Sequence, residues 1–317
     1  MSLPVTVRES VERGRDLVAT EQLGAGRVVL TAAPLAAVPS DAFALSVCCG
    51  CLRHCSPSRR CPSCGAVLLC EGCATPGHRH ALLHADECDS LRQLREDPVV
   101  RQRSRRRTPA AGGGRTADTA DTSGLRLLLR LVYAARRERL GTMPPLQLPQ
   151  PEQEVIEDDF EAMASLEDHS HLFPADLSVA VSDAAARAKY LLSPSARMGT
   201  DQYEGFLARV FCNSFALHRF RDPHGRTRQP KAEVGSGVFP SIALMNHSCG
   251  PNCEVELTDE GFLRVVTRED VAAGDALTLS YLPLPIPPPP YGVAGRHRDL
   301  KNAFFFECDC GLEDEAG

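Results

Sequence analysis

Nine of the fourteen cysteines in this 317-residue chain fall between Cys48 and Cys88, and no other feature restricts the fold as strongly. Within that stretch Cys48-x2-Cys51, Cys61-x2-Cys64, Cys70-x2-Cys73 and His84-x3-Cys88 form four ligand pairs. Two residues between ligands let both side chains reach one ion while backbone amides face the sulfurs. Four pairs make two closed tetrahedral sites, structural zinc rather than catalytic zinc, because no position is left for water. The stretch has too few apolar residues for a core of its own, so metal supplies much of its folding free energy. Disulfides would be the competing use of these cysteines, but they belong to smaller chains with an export signal. The opening Ser2-Leu-Pro-Val-Thr-Val-Arg-Glu-Ser10 is too polar for a signal peptide. No run approaches the roughly 18 apolar residues of a membrane span, so a soluble intracellular chain is expected. A net charge of −6 does not suggest direct nucleic-acid binding.

Around this stretch the texture varies. Residues 1–47 read as short strands, Val5–Ser10, Gly14–Thr20 and Arg27–Leu30, with a turn at Leu23-Gly-Ala-Gly26. A short helix is expected over Asp89–Asp97, stopped by Pro98. Residues 101–124, with five arginines between Arg101 and Arg107 and a Gly/Thr/Ala/Asp tract, read as a flexible loop. The arginines there fit either a nuclear-import patch or a solvated run. Three helices follow, over Leu125–Leu140, Asp158–Leu172 and Leu177–Leu192. Gly205–His218 is apolar with Asn213 set into it. A hairpin is expected from Cys253–Leu257 and Phe262–Thr267, then a strand closing at Tyr281, then an irregular proline-dense run from Pro283 to Pro290.

One further string stands out: Ser241-Ile-Ala-Leu-Met-Asn-His-Ser-Cys-Gly-Pro-Asn-Cys253. Asn246 and His247 follow an apolar run. If that run is buried, their polar groups need partners or a ligand, since an unpaired buried polar group costs about 1–3 kcal/mol. Asn, Ser and Gly-Pro are also ordinary turn chemistry, so the string alone fits a turn or a site.

The order of the ligand pairs, ending in His-x3-Cys, resembles the MYND finger. That resemblance implies interleaved sites, Cys48, Cys51, Cys70 and Cys73 on one zinc, and Cys61, Cys64, His84 and Cys88 on the other. Cys49 and Cys55 are surplus, and His78 or His80 could replace His84. A RING-like cross-brace is the other reading. A MYND finger lodged between Gly14-Arg-Asp-Leu17 and Asn-His-Ser-Cys-x-Pro-Asn resembles the SET-and-MYND protein-lysine methyltransferases, with a helical, proline- and alanine-rich middle closest to plant-type members. The resemblance implies an α+β fold: small SET sheets with a pseudo-knot, interrupted by the zinc-binding finger and a helical insertion. Its divisions are residues 1–47 and 201–283 for SET, 48–88 for the finger, 89–200 for the insertion and 284–317 for a post-SET-like segment.

The same resemblance implies S-adenosylmethionine as cofactor and a protein lysine, histone or non-histone, as substrate, in the nucleus or cytoplasm. It implies Gly14, Arg15, Asp16, Asn213, Asn246, His247, Tyr281, Phe304 and Phe306 at the cofactor, with Tyr281 catalytic and Phe304 and Phe306 walling the lysine channel. Cys249, Cys308 and Cys310 resemble a post-SET zinc site. The third cysteine of the usual terminal string is Glu313 here, so a third zinc is left open, with Cys253 or Glu313 as alternative ligands. The competing function is a catalytically weak adaptor that uses the MYND finger to bind a proline-rich peptide.

Overall fold

The computed structural model describes residues 3–10, 14–55, 60–98, 122–148, 154–220, 231–284, 291–309 and 311. Small sheets assemble from both ends of the chain. Strand β1 (Val5–Ser10) pairs antiparallel with β2 (Gly14–Ala19). A four-stranded sheet runs β5-β3-β10-β9, joining β3 (Val28–Ala33) and β5 (Ile156–Glu157) to the expected hairpin of β9 (Cys253–Leu257) and β10 (Leu263–Thr267). A three-stranded sheet runs β4-β7-β6, from β4 (Ala36–Pro39), β6 (Ser214–Phe220) and β7 (Lys231–Val238). Two residues each of β8 (Asn246–His247) and β11 (Thr278–Leu279) pair in parallel. The apolar run of β3 is buried from Val29 to Ala33, whereas β9 alternates inward Cys253 with outward Glu254 and Glu256, as strands with one or two covered faces do.

The helices form a second layer. Helix α1 (Arg79–Glu96) and α2 (Ser123–Arg139) precede the short α3 (Phe160–Ala164), then α4 (Ala175–Leu191) and α5 (Thr200–Asn213) follow. Leu91 and Leu94, Leu128, Leu129 and Val132, Ala185 and Ala188, and Tyr203 and Leu207 share one core with the finger residues Cys49, Cys64 and Val67. Helix α2 is buried nearly all round, including Arg126 and Arg130. Their guanidinium groups reach the Pro39 and Ala37 carbonyls on the edge strand β4. Four helical residues rise about 6 Å and two strand residues about 6.7 Å, so an i, i+4 arginine pair matches alternate carbonyls of that edge. The helix thereby closes an edge that would otherwise invite another strand.

Several expectations are corrected. The helix expected from Asp89 begins at Arg79, because His78 accepts the backbone N–H of His80 and caps it. Asp158–Leu172 is not one helix: α3 is capped by Asp159, and a single 3-10 turn (Ser170–Leu172) follows a left-handed His169, φ 48°. Asn213 ends a helix rather than sitting in a strand, because Tyr203, Leu207 and Val210 recur at helical spacing. Of the strand expected to reach Tyr281, Thr278–Leu279 forms β11, and Ala276 makes an isolated antiparallel bridge to Val18. Helix α6 (Pro240–Ala243) and α7 (Gly292–Phe304) were not foreseen. Ser123 and Gly124, expected in a loop, are helical. Residues 101–121 of that loop with their arginines, the run 285–290, Cys310 and Glu313 lie outside the described residues.

Candidate active site and metal centres

The finger's ligand atoms gather as two groups, Cys48, Cys51, Cys70 and Cys73, and Cys61, Cys64, His84 and Cys88, each within 4.8 Å of one another. Cys51 and Cys70 sulfurs lie 3.8 Å apart, as do those of Cys61 and Cys88. Sulfurs bound to one tetrahedral zinc at about 2.3 Å are separated by about 3.8 Å, so both groups fit zinc. Backbone N–H groups of Gly50 and Cys70 donate to Cys48 Sγ, and that of Ala66 to Cys64 Sγ. His84 and Cys88 lie on α1, and helical i, i+4 spacing turns both to one ion. His84 Nε2 is 3.9 Å from Cys64 Sγ. His78 and His80 instead stack on each other beside Cys73 of the first group.

Glu87 was missed in sequence. It is fully buried, and its carboxylate lies 3.8 Å from His84 Nδ1 while pairing with both nitrogens of the Arg130 fork. Burial alone would raise its pKa, but Arg130 and then His84 outweigh burial and hold it at about 2. A carboxylate behind a ligating histidine fixes the ring and its tautomer. Arg130 also donates to the Cys49 carbonyl, so one guanidinium joins finger, insertion and β4. An arginine within an otherwise continuous apolar helix was the available signal in the sequence.

The Asn-His-Ser-Cys string follows α6, whose start is held by Asp158 accepting from both the backbone and hydroxyl of Ser241. Burial raises the Asp158 pKa against those donors. Asn246 Nδ2 then donates to the Arg15 carbonyl at 3.1 Å and to Asp16 Oδ1 at 2.6 Å. Asp16 is 2% exposed. Gly14 adopts φ +69°, which favours glycine, and nothing lies within 4 Å of where a Cβ would stand. Arg15 turns its guanidinium to Ser165. Asn213 donates to the carbonyls of Glu167 and Arg209, placing the end of α5 against the insertion.

Tyr281 is the point where these segments meet. Its hydroxyl donates to the Met245 carbonyl at 2.8 Å, and its backbone N–H donates to His247 Nδ1 at 3.0 Å. Its ring packs on Phe304, centroids 5.1 Å apart, and meets Phe306 edge-on at 6.0 Å. His247 packs on both Tyr281 and Phe306. The intervening Phe305, left-handed at φ 62°, turns the other way onto Phe173 and Phe211. Three consecutive phenylalanines therefore face two sides, and of the three Phe304 and Phe306 pack on Tyr281.

His247 Nε2 lies 3.3 Å from Cys249 Sγ, and Cys249 and Cys308 sulfurs are 3.9 Å apart. Because Nδ1 accepts from Tyr281, the ring proton of a neutral imidazole sits on Nε2. His247 thus donates to sulfur in this arrangement and offers no lone pair to a metal. Cys253, weighed as an alternative ligand, packs in the main core instead, and burial pushes its thiol up to about 12.

A family model described as the SET domain matches residues 14–282. Along nearly the whole chain it is similar to the histone-lysine N-methyltransferase Smyd1 of Mus musculus, 23% identical over 329 positions covering 98% of this chain and 57% of that protein. It is also similar to the histone-lysine N-methyltransferase ASHR2 of Arabidopsis thaliana, 26% identical over 323 positions covering 96% of this chain and 70% of that protein. A shorter match is 36% identical over 110 residues to the histone-lysine N-methyltransferase SMYD3 of Homo sapiens, covering 35% of this chain and 22% of that protein. The chain spans about half the length of the mouse relative.

Proposed function

The chain belongs to the SET domain family, and from that premise we propose that it is an S-adenosylmethionine-dependent protein-lysine N-methyltransferase of the SET-and-MYND type. The observation that carries the reading is the convergence of His247, Phe304 and Phe306 on Tyr281, next to Asn246, which bonds the Arg15–Asp16 loop from the other end of the chain. S-adenosylmethionine would supply an electrophilic methyl group on a sulfonium; a neutral lysine amine would take that methyl in line as the S–CH3 bond breaks, with S-adenosylhomocysteine leaving and one proton lost from the amine.

The chain's own residues have four tasks. Asn246 fixes the Arg15–Asp16 backbone, so that the loop at Gly14 presents a rigid surface with room for a ligand. Tyr281, its proton committed to the Met245 carbonyl, keeps lone pairs on its oxygen to accept a hydrogen bond from the amine. Phe304 and Phe306 exclude water from that oxygen and narrow the approach. Positioning of this kind, with preorganised oxygens near the sulfonium, supplies the rate, and no nucleophilic side chain is required. The residues from Gly14 to Asp16, Asn213, Asn246 and His247 hold the cofactor in this reading, with His247 contributing through its backbone because its ring is engaged elsewhere.

The two finger groups act as structural zinc. A docking role for the finger toward a proline-rich peptide rests on its likeness to MYND modules. The relatives' names point to histone lysines as a first substrate class and to the nucleus or cytoplasm as the place of action. Screening methyl transfer onto histones and onto lysate proteins, read by mass spectrometry, tests the proposal. Cofactor-dependent gain of methyl groups on lysine is expected. Absence of transfer to any lysine, in a chain that also fails to bind cofactor, would favour the adaptor.

A further inference from the structure

Arg296 is 1% exposed, among the largest fully buried side chains of the described residues. Its hydrogen-bond acceptors among the described residues are neutral: Nη1 donates to the Pro283 carbonyl at 2.8 Å and Nη2 to Ser280 Oγ at 2.6 Å. Nε has no partner among the described residues. Burying a guanidinium against neutral acceptors is costly, and neither the helix nor the core requires a charge there. The acceptors explain its presence. They stand one residue before Tyr281 and two residues after it, and Ser280 Oγ donates onward to the Leu282 carbonyl at 2.7 Å. The planar fork, with its fixed geometry, grips both ends of the turn that carries Tyr281.

Spacing on α7 completes the arrangement. Arg296, Leu300 and Phe304 are four residues apart and share one helix face. All three are buried. Leu300 and Phe304 pack with Tyr281 and Leu282 in a single cluster. One helix therefore holds the tyrosine's turn through Arg296 and its ring through Phe304, with Leu300 in the same cluster.

We propose that Arg296 is a positioning residue that sets the location of the Tyr281 hydroxyl through the Ser280–Pro283 turn, and with it both turnover and the number of methyl groups placed on the lysine. The inference rests on the methyltransferase reading. The hydroxyl is pinned to Met245, and displacement of a reacting geometry by about 1 Å costs about 100-fold in rate. The same displacement changes the room beside the amine for a methyl group already attached.

The test compares Arg296→Lys, which keeps the charge but loses the fork, and Ser280→Ala, which removes one acceptor and the cross-turn bond. For each, kcat, KM, cofactor affinity by calorimetry, melting temperature and the ratio of mono-, di- and trimethyl-lysine are measured. The expected result is a fall in kcat of about 10- to 100-fold, cofactor affinity within about threefold of wild type, and a changed methylation ratio, with Ser280→Ala the milder. A folded Arg296→Lys protein with wild-type kcat and methylation ratio would overturn the proposal. So would losses of cofactor affinity and turnover in equal proportion, which is the signature of structural damage alone. Should Arg296→Lys not fold, Ser280→Ala decides by the same readouts. If the wild-type protein itself binds no cofactor, it is the methyltransferase reading that fails, and the two failures are separate.

Discussion

His247 shows how much a single ring can organise. It accepts the Tyr281 N–H, donates toward Cys249 Sγ, and packs against both Tyr281 and Phe306. One imidazole thereby ties the strand end that bears the tyrosine to the thiols that gather the C-terminal segment. Tyr281 itself makes its contribution through a hydroxyl whose partner, Met245, is backbone and so cannot drift independently. Replacing Tyr281 with phenylalanine leaves the ring packing and removes the oxygen. Turnover should fall by about 100-fold or more, while cofactor affinity measured by calorimetry stays close to wild type. A Tyr281→Phe protein with undiminished kcat would remove the hydroxyl from the mechanism.

At the scale of elements, the legible and illegible parts of the chain divide by how local their causes are. Ligand pairs, the β9–β10 hairpin and helix α4 follow from spacing within a few residues, and the sequence shows them. Helix α1 was half missed because its first turns lie inside the finger, where cysteine spacing masks the cap at His78. Helix α7 went unseen because Gly292 and Gly295 weaken its helical signature, and its reason to form is Arg296, Leu300 and Phe304 meeting a turn far back in the chain. The same division holds for the site. Asn246, His247, Tyr281, Phe304 and Phe306 were picked out by motif; the last four pack on one another, while Asn246 bonds Arg15 and Asp16. Asn213 and the Arg15 side chain bond instead to the insertion. Glu87 and Arg296 were invisible, since a buried charge can be recognised only by what surrounds it. For Glu87 the consequence is measurable. Glu87→Gln keeps the shape and removes the charge behind His84, so zinc held at the second finger group should be lost to a chelator about 10- to 100-fold more readily. Unchanged competition curves would show that Glu87 serves Arg130 alone.

The whole molecule is held together by arginines that cross between its parts. Arg130 links β4, the Cys49 carbonyl and Glu87. Arg219 of β6 donates to the carbonyls of Cys51 and Leu52 in the finger and of Thr258 beside the β9–β10 hairpin. At the second joint Gly261 passes so close to Cys51 that an added Cβ would stand 3.0 Å from its Cα. Finger and sheets therefore share their stability. Metal analysis should find at least two zinc ions per chain, and a third would establish a site at Cys249 and Cys308. Stripping the zinc should lower the melting temperature of the entire chain rather than melt the finger alone, because folding free energy supplied by the metal reaches the sheets through these arginines. Two separate transitions, with the later one unmoved by chelation, would contradict that coupling. The account as a whole rests on the cofactor, and calorimetry of the zinc-loaded chain with S-adenosylmethionine tests it most directly. Saturable binding is predicted, weakened about 10- to 100-fold in Asn246→Ala, where the buried Asp16 Oδ1 loses its amide donor and Arg8 still stands 3.5 Å from Oδ2, a loss of about 1–3 kcal/mol. No heat of binding up to millimolar cofactor would contradict the account.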